Sequence, residues 1–360
     1  MRSLFFWAMA TLTCILSLSG PIQAATRYYF HDLGSLAGGT KSEALGINDA
    51  GQVVGWSENG DTVRNHRAFL KVPGQPMQDL GALGEGNEFY SEARGINNFG
   101  QIVGAAENTH HVYHAFLKNN GQPMQDLGVL GGELGNPSHS EAYAINDFSQ
   151  VVGGSTLPYN GNLHAFLKNP GQEMQDLGTL GKDLSLAFGI NDSGQAVGVC
   201  GAFPTAFLKK PGEPMEDLGS LSGGDRSRAN GINNAGQVVG WSATANNLIF
   251  HAFLKNPGQE MQDLGDLGGG YSEAYAINDA GQIVGVSATS VGSVSSKAVL
   301  WEKGVMHDLS NLTVNLPSGV FLYQARAINN KGWIVGQSSN ERAFLLTTTT
   351  PLPLLLLLDK

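Results

Sequence analysis

The chain is expected to be all-β: a seven-bladed β-propeller of four-stranded blades, closed by an N-terminal strand that completes the last blade. Three observations predict this. Four short segments recur in fixed order, and their Asp markers stand 41 to 50 residues apart, the spacing of a propeller blade. Glycine fills 49 of 360 positions while charged residues make up only 14%, which suits many short strands joined by turns that need positive φ. After the first 25 residues no helical period of any length is found.

The first strand of each repeat is SEALGIND from Ser42, SEARGINN from Ser91 and SEAYAIND from both Ser140 and Ser272, with looser copies from Ser185, Ser227 and Tyr323. It carries Ala at all seven copies, from Ala44 to Ala325, and Gly or Ala two residues later. Blades converge at the axis, so small side chains there let neighbouring backbones approach. The second strand is GQVVG from Gly51 and its counterparts. The turn before it, Asn48-Asp49-Ala50-Gly51, has the chemistry of a hairpin. The third is HAF followed by Leu at His114, His164 and His251, with Arg67, Thr205, Lys297 and Arg342 in place of His elsewhere. The fourth is MQDLG or a variant, with Asp79, Asp126, Asp176, Asp217, Asp263 and Asp308.

The seventh copy of the fourth segment, FHDLG with Asp32, precedes the first blade, and the last blade ends without one. Residues 28–33 are therefore expected to cross the ring and form the outer strand of blade seven. Seven equivalent Asp residues point to hydrogen bonds needed in every blade rather than to catalysis, and the varied HAF position argues against a histidine ring holding metal.

Residues 1–25 read as a secretory signal peptide: Arg2, an apolar run from Leu4 to Leu18, and a small-residue cleavage site at Ala24-Ala25. The apolar run is shorter than the roughly 20 residues of a membrane span, so the chain is expected to be extracytoplasmic and not membrane-spanning after cleavage. The propeller is assigned to 26–346 and a Thr/Pro/Leu tail to 347–360. Once the leader with Cys14 is removed only Cys200 remains, so burial rather than a disulfide must stabilise the fold. A formal charge of −10 without a basic stripe speaks against nucleic acid. No cofactor or metal is expected, and the protein is expected to be a monomer.

The HAF triplet, with GIND, GQVVG and DLGxLGG around it, resembles the HAF-repeat family of predicted extracellular bacterial proteins over residues 28–346. The resemblance implies export and a repeat architecture, and brings no catalytic residue with it.

Parity sorts the loops. Turns one–two and three–four share one face and are nearly identical across repeats. Loops two–three and the inter-blade connections share the other and vary widely, and binding usually resides on variable loops of a rigid scaffold. On that face Glu43, Glu92, Glu141 and Glu273 are expected around the channel mouth. Leu186, Arg228 and Gln324 stand at the same position in the other blades. These Glu residues with Arg228 form the candidate ligand site. Arg94, Tyr143, Phe188, Tyr275 and Arg326 share a variable position expected to pack between blades. The favoured reading is a non-enzymatic binding propeller that takes a protein or glycan. The alternatives are a carbohydrate-active hydrolase or lyase, which would need a carboxylate pair confined to particular blades, and a passive surface protein. No GxSxG elbow, HExxH, P-loop or EF-hand loop is present.

Overall fold

The repeats fold as seven separate four-stranded antiparallel sheets. The computed structural model describes residues 26–60, 66–86, 89–132, 138–158, 161–245, 249–291 and 296–348. Residues 1–25, which carry the expected signal peptide, and 349–360 of the expected tail lie outside the described residues. Blade one runs Ser42–Ile47, Val53–Glu58, His66–Lys71 and Met77–Asp79, paired in that order. Blades two to six repeat it.

Blade seven consists of Leu322–Ile328, Ile334–Ser338 and Ala343–Thr348, with Tyr28–Gly34 as its outermost strand. Tyr28 faces Thr348, Phe30 faces Leu346 and Asp32 faces Phe344, so the N-terminal strand closes the ring as expected. The pairing extends through Thr347 and Thr348.

A short α-helix, Leu309–Leu312, interrupts the connection between blades six and seven, where no helix is predicted. One turn is too short to leave a period in the sequence. Asp308, the marker Asp of blade six, caps it by accepting from Ser310 N at 2.8 Å. Leu309 and Leu312 are buried with Tyr28, Phe30 and Leu346.

Each apolar cluster is shared between blades. Val103, Ala115 and Leu127 of blade two pack with Ala142, Ile145, Val151 and Phe166 of blade three. The Phe of AFL is fully buried wherever it occurs, from Phe69 to Phe344, each contributing roughly 1.5–3 kcal/mol. The seven first-strand alanines are also fully buried. A Cβ on Gly231 would lie 3.1 Å from Tyr275 O and 3.3 Å from Ala276 Cα of the next blade, so blade contact limits side-chain size there.

The recurrent polar residues join blades. Ser91 Oγ donates to Gly81 O and accepts from Ala68 N, tying blade one to blade two. Five other blade junctions repeat this bond pair with their own Ser. The DLG Asp accepts from the N–H two residues on, as Asp126 does from Gly128 at 2.7 Å. Its other oxygen faces the HAF position: His114, His164 and His251 sit 2.8 to 2.9 Å from Asp126, Asp176 and Asp263. Both positions thus have the structural roles that their repetition implied.

Candidate functional site

The innermost strand of every blade carries a β-bulge. In blade one Ala44 pairs with Gly55 and Gly46 with Val54, leaving Leu45 unpaired. The other six first strands shift register at the equivalent place. A bulge re-aims the extra side chain. Here the bulged residues are Leu45, Arg94, Tyr143, Phe188, Asn230, Tyr275 and Arg326. The bulge also explains the glycine of GQVVG: a Cβ on Gly55 would fall 1.9 Å from Glu43 O, and Gly104, Gly153, Gly198, Gly240, Gly285 and Gly336 are equally blocked at 1.9 to 2.0 Å.

The four predicted glutamates do occupy the inner strands, each in a different environment. Glu43 is buried, accepting from Trp56 Nε1, Gln324 Nε2 and Arg326 Nε at 2.7 to 3.2 Å. Glu273 is buried too, accepting from Asn230 Nδ2 and Tyr271 OH. Glu92 and Glu141 share Arg94, whose Nε lies 3.3 Å from Glu92 and whose Nη1 lies 2.5 Å from Glu141. Arg228 stacks on the Phe188 ring at 4.0 Å. The channel wall is therefore largely a network of ion pairs and Arg–aromatic stacks in place of a free acidic ring. The bulged residues pack between blades as expected: Arg94 over Tyr143 at 4.6 Å, Tyr143 edge-on to Phe188 at 5.0 Å, and Arg326 over Tyr275 at 4.5 Å.

Glu92 and Glu141 also open onto a cavity of about 350 Å³ on the variable face, lined by His66, Tyr90, Ser91, Glu92, Arg94, Ala105, Tyr113 and Glu141. His66 stacks on Trp56 at 4.0 Å and tilts against Tyr90 at 6.2 Å, while Tyr113 meets His139 edge-on at 6.1 Å. Burial pushes the His66 imidazole below its ordinary value, against the pull of Glu92 and Glu58, so it stays neutral near pH 7. Burial alone would raise Glu141. Hydrogen bonds from His139, Arg94 and Tyr143, with the Arg94 charge, hold its carboxyl well below the usual carboxylate range instead. Burial likewise pushes the Tyr143 hydroxyl up. The pocket thus offers aromatic faces, hydroxyl donors and two carboxylates that share one arginine.

Sequence reasoning places Glu92 and Glu141 here and misses the aromatic residues. Tyr90 precedes the first strand of blade two and Tyr113 opens its third; Tyr271 and Phe250 stand at these positions in blades six and five, but only blade two has Tyr at both, and that break in symmetry was the available signal. The opposite face carries a 240 Å³ depression at the channel mouth, formed by the repeated Ile-Asn-Asp/Asn triplets, and a 650 Å³ groove between blades one and two beside the exposed Phe99. Among the described residues no group of three or more His, Cys, Asp or Glu is placed to hold a metal ion. No helix among them is long and apolar enough to cross a membrane.

No family model and no curated protein matches the chain. Solved structures do. The β-propeller domain of the Trilobed protease from Pyrococcus furiosus is similar over 90% of this chain and 98% of its own, with a TM-score of 0.54 and 10% identity. A catalytically inactive virginiamycin B lyase from Staphylococcus aureus with quinupristin is similar over 89% and 99%, with a TM-score of 0.53 and 8% identity. TolB from Acinetobacter baumannii is similar over 83% of this chain at a TM-score of 0.49 and 8% identity, and the chain covers 63% of its length. At such identities the likeness shows the fold alone. The chain is a seven-bladed β-propeller latched by its first strand, a scaffold of a kind that serves binding proteins as well as hydrolases and lyases.

Proposed function

We propose that this is an exported binding propeller of the HAF-repeat kind, whose variable face recognises a glycan through the pocket between blades one and three. The observation that carries the reading is the cavity in which His66, Tyr90 and Tyr113 converge with Glu92, Arg94 and Glu141. Aromatic faces suit the C–H surfaces of a sugar ring, while a few fixed polar groups set the orientation of its hydroxyls. No other blade has Tyr at the positions of both Tyr90 and Tyr113 together with the Glu92, Arg94 and Glu141 cluster, although blades five and six share parts of the set in Phe250, Tyr271 and Glu273. The leader at 1–25 supports export.

The state of the carboxylates favours binding over glycan cleavage. A glycosidase pair needs one carboxyl protonated at working pH, with its pKa raised. Glu141 is held low, by hydrogen bonds and by the same arginine that touches Glu92.

A glycan array followed by calorimetry tests the reading. Tyr90→Ala and Tyr113→Ala are expected each to weaken the best glycan by about tenfold, the scale of a lost aromatic contact, at unchanged melting temperature. Full affinity in both variants, or an array on which nothing binds, would refute it.

A further inference from the structure

At four blade junctions the bulged residue of one blade touches the residue of the next blade that stands at the Glu position. Arg94 reaches Glu141, Arg326 reaches Glu43 and Asn230 reaches Glu273. At the junction of blades four and five the same contact sets the Phe188 ring against the Arg228 guanidinium, at 4.0 Å. Arg94 and Arg326 thereby gain a carboxylate, whereas Arg228 gains only a ring face. Its Nε is buried without a hydrogen-bond partner among the described residues, and two residues along the strand the buried Oδ1 of Asn230 also lacks one. The Asn230 amide cannot be turned to cure this, because its Nδ2 donates to Glu273 Oε1 and Ala274 O at 2.9 and 2.8 Å.

Arg228 lies outside the pocket lining and is linked to it by a run of ring contacts that starts at Arg94. Arg94 lies over Tyr143 at 4.6 Å, Tyr143 meets Phe188 at 5.0 Å, and Phe188 carries Arg228. One end of this aromatic shelf is an arginine paired with two carboxylates. The other end is an arginine with a buried donor still unused. An unsatisfied buried N–H is a cost that an incoming acceptor removes, and the guanidinium fork matches a carboxylate better than it matches a hydroxyl.

We propose that Arg228 reads a carboxylate on the ligand, so that the glycan bound is an acidic saccharide, and that Asn230 Oδ1 accepts from one of its hydroxyls. This rests on the glycan reading of the pocket and adds the ligand's charge class to it. Blade five takes this role because it alone has Arg where four blades have Glu.

The test is NMR and calorimetric titration of the purified protein with D-glucuronate, D-glucose and inorganic phosphate. Glucuronate is expected to bind about tenfold more tightly than glucose, as a charge-assisted pair should, and to shift the Arg228 Nε–H signal. Arg228→Gln should abolish the preference, and Arg228→Lys should restore part of it. Equal affinity for the two sugars in the unmodified protein would overturn the assignment of Arg228 and leave the pocket reading standing. If neither sugar moves the ring signals of Tyr90 and Tyr113, both readings fall. Phosphate that competes with glucuronate at equal affinity would reveal a general oxyanion site and overturn the acidic-sugar assignment. The measurements on the unmodified protein decide the matter even if Arg228→Gln folds poorly.

Discussion

At the scale of the residue, the channel is built from small departures within one repeated strand. The bulge turns the residue after the buried Ala toward the axis, and substitution there converts Leu45 into Arg94, Tyr143 or Phe188 without disturbing the ladder. The Arg94–Glu141 pair shows how such a residue acts at a distance from its own blade. The Glu141 carboxyl is depressed in the folded protein, so its stabilising contribution is complete above the unfolded value of about 4.3 and is lost as pH falls toward the folded one. Glu141→Gln is therefore expected to lower the melting temperature at pH 7 and to cost progressively less below pH ~4. A melting difference that stays constant from pH 7 to pH 3 would show that the carboxylate charge is not what matters.

At the scale of the element, the first strand does the work of a clasp. Tyr28, Phe30 and Leu33 are buried, and Asn315 fastens the strand edge by accepting from Phe30 N at 2.7 Å and donating to Phe30 O at 3.0 Å. Three such side chains contribute roughly 5–9 kcal/mol, comparable with the ~5–15 kcal/mol stability of a typical domain. Deleting residues 28–33 should abolish cooperative unfolding, and a truncated protein that melts like the parent would refute the latch. The closure was legible because one strand motif stood at the wrong end of the chain. The one-turn helix over 309–312 was not, since it is defined by the apolar space beneath the latch, which exists only once the ring has closed.

At the scale of the molecule, closure is completed by two concentric hydrogen-bonded rings on the face of identical turns. In the first, each Asn side chain donates to the carbonyl of the equivalent Asn in the next blade, from Asn48 to Asn97 and finally from Asn329 back to Asn48, at 2.9 to 3.1 Å. In the second, the following backbone N–H donates to the next blade's Asp or Asn side chain, from Asp49 to Asn98 and finally from Asn330 back to Asp49, at 2.9 to 3.0 Å. A ring has no weak end. Asn233→Ala removes the bond to Asn278 O and leaves the Gln237 N–H without its acceptor, so a loss of about 1–3 kcal/mol is expected. Denaturant unfolding followed by tryptophan fluorescence should remain one transition, because Trp56, Trp241, Trp301 and Trp333 report from four different blades. Separate transitions would mean that the blades unfold independently.

The blade count, the strand order, the closing strand and the sorting of loops to two faces were all determined by the sequence, because each follows from a repeated pattern of turn residues and strand-length apolar runs. The structural roles of the DLG Asp and the HAF histidine could be argued from repetition, since a bond needed in every blade is written in every blade. What only the tertiary structure decided was which channel residues are neutralised and which are not. Glu43, Glu92, Glu141 and Glu273 are the same letter in the same motif, yet Glu43 and Glu141 meet an arginine from a neighbouring blade, Glu273 an asparagine, and Glu92 the arginine of its own strand. The pairing between blades joins residues about 45 positions apart or, at the closing junction, 283 apart. Contacts across a blade junction depend on how the bulge aims each side chain, which is a property of the closed ring and not of any one repeat.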